Sequence, residues 1–291
     1  MDEEMIDPEI QGIEDEIAEL ETRLAAAKAR LLSNGGSVKR PIEPTPMVTD
    51  STSNIANHFI LLLSDSALPV GSFAFSSGLE SYLVHNPRTS NFTTFLPLSI
   101  SSFASTTLPF VLAACRDPIN LASLDDQLDA AIICTVGRRA STSQGRALLS
   151  IWERSFRSTV PPGSTAADAQ ILRHFSDLLR KSNGMEIPLV SAHFGPLFGA
   201  LCAIVGLSLR QTAYVFMLSH VKALLSAAVR ASVFGPYQAQ KVLASERVQR
   251  LINAAIDKEW HTTVEDAGQS VPIMDLWIGR HEVLYSRIFN S

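Results

Sequence analysis

The sequence contains no phosphate-cradling G-x-x-x-x-G-K-[ST] loop, so the chain is not expected to turn over a nucleotide by itself. It has no G-x-S-x-G elbow, and Ser72, which follows Gly71, lacks the surroundings of a serine nucleophile. The spacings C-x-x-C, H-x-H and H-E-x-x-H are missing, and the seven histidines are scattered. No dedicated metal site can therefore be read, and no tightly bound cofactor is expected. His193 and His220 sit in apolar runs, where a hydrogen-bonded core histidine is the better reading. Only three cysteines occur, Cys115, Cys134 and Cys202, far apart and among apolar residues, which suggests reduced thiols in an intracellular, cytoplasmic protein. There is no basic stripe of the kind nucleic acid requires. The acidic start, Asp2, Glu3 and Glu4, lacks both the positive charge and the apolar run of a secretory signal.

What is present is apolar mass. The chain has 291 residues, 46% of them hydrophobic and 18% charged, enough for a substantial core. Of the 29 acidic and 24 basic residues, 12 and 5 fall within residues 1–54, leaving 17 and 19 for the remainder. The acidic character belongs to the leader, and the body is nearly neutral.

In the leader, Asp7-Pro8-Glu9 reads as a helix start. Ile10, Ile13, Ile17, Leu20, Leu24, Ala27 and Leu31 then recur at steps of three and four, a seam suited either to a paired coil or to a lone amphipathic helix. Gly35-Gly36 ends this acidic heptad-repeat helix (1–36), and residues 37–54, with three prolines and many Ser/Thr, read as a flexible linker. Strict alternation is scarce across 55–291, whereas helix start and stop signals are frequent, so the expected class is an all-α domain of about eight to ten helices. Pro69-Val70-Gly71 predicts a tight turn between two helices. Pro97 and Pro109 are expected to start or kink helices between Phe92 and Cys115. Further helices are predicted over 123–136, 141–156, 165–181, 193–207, 208–231 and 236–257, with a capping box at Ser208 and Gln211. Residues 189–209 carry no formal charge and could just span a bilayer; Pro196 and the internal glycines favour a buried central helix instead.

Several stretches carry a resemblance. Leu63-Ser64-Asp65-Ser66-Ala67-Leu68-Pro69-Val70-Gly71-Ser72-Phe73, followed by Ser76, Gly78, Leu79 and Glu80, resembles the N-terminal signature of the UreF urease accessory proteins. Arg139-Ala140-Ser141 with Gln144-Gly145-Arg146 resembles a second element of that family, and His193-Phe194-Gly195-Pro196 a third. Ser226 to Arg230 followed by Gly235-Pro236-Tyr237-Gln238-Ala239-Gln240 resembles a fourth, and His281 to Ser291 its C-terminus. Five elements in collinear order cover about residues 59–291. Phe75 stands where members often carry a histidine, so no metal role carries over to that position.

The resemblance implies a helical, non-enzymatic homodimer that helps assemble the nickel centre of urease. It would bridge a nickel-carrying GTPase (UreG) and the UreD/UreH scaffold docked on apo-urease, with nickel handled through those partners. By the same implication, partner contacts fall on Pro69, Gly71, Phe73, Ser76, Gly78, Glu80, Arg139, Gln144, Arg230, Gln238, Gln240, His281, Glu282, Tyr285, Arg287 and Phe289. The C-terminal segment Met274–Phe289 exposes too much apolar surface to stay free and must dock on its own body or on a partner. The resemblance favours a partner, with ordering on binding and Arg287 as a buried anchor. The alternative reading is a helical membrane-associated protein built around residues 189–233, and a weaker one is a hydrolase using Ser72. Neither nucleic acid nor membrane is expected as a partner on the leading reading.

Overall fold

The computed structural model describes residues 18–26, 51–159, 166–182 and 184–290. The chain divides into two units, Met1–Val48 and Thr49–Ser291. In the first, residues 18–26 are helical and expose Leu20 and Leu24; the rest of the heptad seam lies outside the described residues.

Among the described residues the second unit contains helices and no strand. Its α-helices are α1 Ser51–Ser64, α2 Leu79–His85, α3 Phe92–Arg116, α4 Leu121–Ala131, α5 Thr135–Ile151, α6 Ala166–Ser182, α7 Phe194–Ile204, α8 Leu209–Arg230, α9 Pro236–Leu243, α10 Glu246–Glu259 and α11 Pro272–Arg280. Short 3₁₀ turns occupy Ser72–Ala74, Pro118–Asn120 and His281–Val283. The all-α class expected from the sequence is the class observed. Helix α1 opens at Ser51, inside the stretch that reads as linker.

Helix α3 is the centre of the body, packing on α7, α8 and α10. It runs unbroken for 25 residues with Pro97 and Pro109 inside it, where the sequence predicts a restart or a kink. A proline in a helix interior strands the carbonyl four residues earlier. Here tertiary donors take both orphans: the Arg247 guanidinium donates to the Thr93 carbonyl at 3.1 Å, and the Gly268 amide donates to the Ser105 carbonyl at 3.1 Å. Helix α7 lies against α3 closely enough that a Cβ on Gly199 would sit 2.2 Å from the Val111 carbonyl oxygen, so only glycine fits there.

Helix boundaries differ from expectation where side chains choose unexpected partners. The predicted 123–136 helix is α4, two residues earlier, because the Pro118–Asn120 turn leads into it and Ser123 accepts from Gln127 rather than capping. The break before α5 falls at Ile132–Cys134, not near Gly137. Arg138 reaches back across it to the carbonyl and carboxylate of Asp129, at 2.7 and 2.6 Å. The predicted 236–257 helix is split at Ser245, whose hydroxyl accepts from the Val248 amide at 3.4 Å. The capping box at Ser208 and Gln211 forms as expected.

The bilayer reading of 189–209 meets an 11-residue α7 that is buried almost throughout, too short to cross a membrane. Two other helices, α3 and α8, are long and apolar enough to cross one; 61% of the apolar window of each is buried within the body. Both serve as core helices here.

Candidate functional site

The C-terminal tail lies on its own body, gathered around one buried carboxylate. Glu80 sits in the first turn of α2 and is 5% exposed. It accepts from the His281 Nε2 at 2.9 Å and from the backbone amides of Ile288 at 2.6 Å and Phe289 at 3.2 Å. The Asn290 amide donates to the Ala74 carbonyl at 2.8 Å, so the last residues run alongside the Ser72–Ala74 turn. That turn is set by Gly71, whose φ of 73° is left-handed backbone that glycine adopts without strain. Gly78, with φ 84°, faces α11 so closely that a Cβ would lie 3.1 Å from the Ile278 side chain. The signature therefore shapes a seat for α11 and the tail.

Arginines clasp the rim of this seat. Arg230 donates to the Phe73 carbonyl and lies 4.4 Å from the centre of the Phe289 ring, a cation–π contact. Partial burial pulls its guanidinium below the ordinary value. Arg139 pairs with Glu282 and also reaches the Asn290 carbonyl at 3.4 Å. Arg287 donates to the Glu282 carboxylate at 3.2 Å and to its carbonyl at 2.7 Å. The Arg139 hydrogen bond, helped by Arg287, holds the Glu282 carboxyl below the usual carboxylate range.

These placements correct part of the sequence reading. The tail packs against its own chain through Glu80. Arg287 gathers carbonyls, as expected of an anchor, but it is exposed and its partners belong to the tail itself. Ser76, Gly78, Glu80, His281 and Phe289 are buried and act inside the body. Pro69 and Phe73 are exposed beside the seat, and Tyr285 projects wholly into solvent. Gln144 lies half-buried in a neighbouring cleft. Gln238 and Gln240 are exposed on α9 and make no side-chain hydrogen bond among the described residues, so they are not gathered into the seat. Phe75, at the position of the family histidine, is a buried ring. Among the described residues no group of His, Cys, Asp or Glu is arranged to hold a metal ion. Among the described residues Ser72 makes no hydrogen bond with a histidine, and its carbonyl accepts from the Phe75 amide within the turn.

A second carboxylate centre was missed by sequence reasoning. Asp125, fully buried on α4, accepts from the backbone amides of Ser191 at 2.6 Å, Ala192 at 3.1 Å and His193 at 2.6 Å. Burial raises its carboxyl above the usual value, against those donors and His193. His193 in turn meets Asp129 at 2.8 Å and the Ser141 hydroxyl at 3.0 Å, the hydrogen-bonded core histidine expected. The signal was present: Leu121, Leu124, Asp125 and Leu128 share one helical stripe, and a carboxylate on an apolar stripe must have partners.

Comparison with known proteins agrees with this architecture. The UreF family pattern matches residues 88–246. The chain is 38% identical over 246 residues to an uncharacterized urease accessory protein UreF-like of Schizosaccharomyces pombe, covering 84% of this chain and all of that protein. It is 31% identical to urease accessory protein F of Oryza sativa subsp. indica, over 85% of this chain and 89% of that protein. It is 29% identical to urease accessory protein UreF of Paenarthrobacter aurescens, over 79% of this chain and 95% of that protein.

Proposed function

The chain belongs to the UreF family of urease accessory proteins, and from that premise we propose that it acts in urease maturation as a bridge between a UreG-type GTPase and a UreD/UreH-type scaffold on apo-urease. It does so without catalysing a reaction, as a homodimer in the cytoplasm, and nickel passes through its partners as cargo. The coupling is one of binding free energies: a partner that favours one state of the GTPase shifts when nickel is released.

The observation that supports this reading most is the tail. It buries Leu284 and Phe289 inward while Val283, Tyr285 and Ile288 are 74%, 106% and 62% exposed. Phe73, 62% exposed, lies on the turn beside which the tail runs. Apolar side chains held outward on a fixed backbone are the anchors an interface uses. With the tail already ordered, scaffold binding need not include the cost of ordering it.

The test is a pull-down with the scaffold, run beside sedimentation of the variant alone. Tyr285→Ala with Ile288→Ala, and separately deletion of residues 281–291, should abolish scaffold capture and urease activation. Helical content and the homodimer should persist. Undiminished scaffold capture by the double variant would overturn the tail as the docking element.

A further inference from the structure

Helices α3, α5, α7, α8 and α11 enclose a cleft of about 340 Å³ that the assembly role leaves unused. Its wall contains four rings in a row. His220 stacks on Phe103 at 4.0 Å with planes 10° apart, Phe103 on Phe216 at 4.9 Å and 13°, and Phe216 on Phe194 at 5.8 Å and 26°. Such near-parallel faces favour one more flat ring over a branched aliphatic chain. The volume is that of an ordinary small-molecule site.

The cleft is also electrically quiet. Burial pushes the His220 imidazole down to about 3, so it is neutral at physiological pH, with Nε2 against the Ser99 hydroxyl at 3.0 Å. Asp275 is the one charged side chain among the other described lining residues, and it accepts from Gln269 at 2.8 Å. An anionic guest would leave water and find no cationic side chain among the described lining residues. The Gln144 side chain offers an acceptor: it donates through Nε2 to the Ala140 carbonyl at 3.3 Å, while its Oε1 has no donor among the described residues.

We propose that this cleft binds a planar aromatic or heteroaromatic small molecule that carries no negative charge, stacked beside the ring row and donating one hydrogen bond to the Gln144 side-chain oxygen. The site is independent of the scaffold-docking tail, and its failure leaves that reading untouched.

The experiment titrates the full chain with 1-aminoanthracene, a neutral planar fluorophore carrying an N–H donor, and with anthracene-1-sulfonate as the anionic counterpart. The neutral probe should bind saturably at one site per chain, and the sulfonate about tenfold more weakly or worse. Ala140→Trp, which fills the cleft, should weaken the neutral probe by more than about tenfold, and Gln144→Ala by about fivefold. Circular dichroism shows whether each variant is folded; if Ala140→Trp is not, Gln144→Ala carries the test. Non-saturable binding, equal binding of the sulfonate, or a folded variant that binds the probe undiminished overturns the proposal. So does a change of oligomeric state in folded Ala140→Trp, which would mean that a second protein chain covers the cleft.

Discussion

Glu80 and Asp125 are nearly the same device put to different ends. Each is a buried carboxylate accepting three hydrogen bonds, and each has a histidine close by: His281 donates to Glu80 directly, whereas His193 gives Asp125 its backbone amide. The shortest contact is 2.6 Å in both. Yet Asp125 fixes an internal turn and Glu80 fixes the end of the chain. The internal turn is jammed from behind: a Cβ on Gly145 would lie 2.1 Å from the Ala192 carbonyl and 2.8 Å from the Phe194 nitrogen. Ala192 is held there with φ 68°, a left-handed conformation that the Asp125 bonds and this packing offset. The tail has no such backing. Val283, Tyr285 and Ile288 face solvent, and the imidazole Nδ1 of His281 is buried without a hydrogen-bond partner among the described residues. Equal hydrogen bonding thus gives unequal permanence, because local opening costs only the contacts that the opening segment makes.

The comparison breaks most severely at Gly145. Gly145→Val should drive α5 off the 192–194 turn and cost more than about 4 kcal/mol, in the range of severe core overpacking. Loss of cooperative thermal unfolding is the expected readout, and a melting curve like that of the unaltered chain would mean that the close approach is not needed.

Next comes Asp125→Ala, which strands three amides, those of Ala192 and His193 buried and that of Ser191 half-buried, at about 1–3 kcal/mol for each buried one before relaxation. The midpoint of denaturant unfolding should fall for the whole body at once, by about 3 kcal/mol or more. Glu80→Ala removes as many bonds but should act locally. The amides of Ile288 and Phe289 should exchange with solvent at least about tenfold faster, while the global midpoint falls by less than in Asp125→Ala. Equal global losses in the two variants would erase the distinction between an internal lock and a terminal one.

The smallest effect concerns a histidine that has no carboxylate partner. Burial lowers His220 to about 3, whereas an unfolded chain titrates near 6.5, so the unfolded state binds the extra proton between these values. Stability contributed by the neutral ring is complete above about pH 6.5 and is lost as pH falls, by about 1 kcal/mol between pH 6.5 and 5.5. His220→Gln, which keeps a polar contact for Ser99 without titrating, should flatten that limb of the stability curve. An unchanged slope would assign the acid sensitivity to other groups.

The sequence carried the helical class, the Ser208–Gln211 cap, the turn at Gly71 and the family signature. Each of these rests on near neighbours, and the physics of caps, turns and periodicity acts within a few residues. It also singled out Glu80, as part of the family signature, and His193, as a hydrogen-bonded core histidine. It missed Asp125, although that residue's place on an apolar stripe was visible, because the amides it holds lie more than sixty residues away and leave no mark nearby.

Tertiary structure alone decided the rest. Pro97 and Pro109 should interrupt a helix by local rules, yet α3 is continuous because Arg247 and Gly268, distant in sequence, supply the missing donors. The tail could have been left for a partner, yet it lies on its own body because the Glu80 carboxylate, 201 positions before His281, offers acceptors at the right depth. Local sequence fixes which groups need partners. Only the folded chain decides which partners arrive, since the donors and acceptors that meet are brought together by packing and not by their spacing in the sequence.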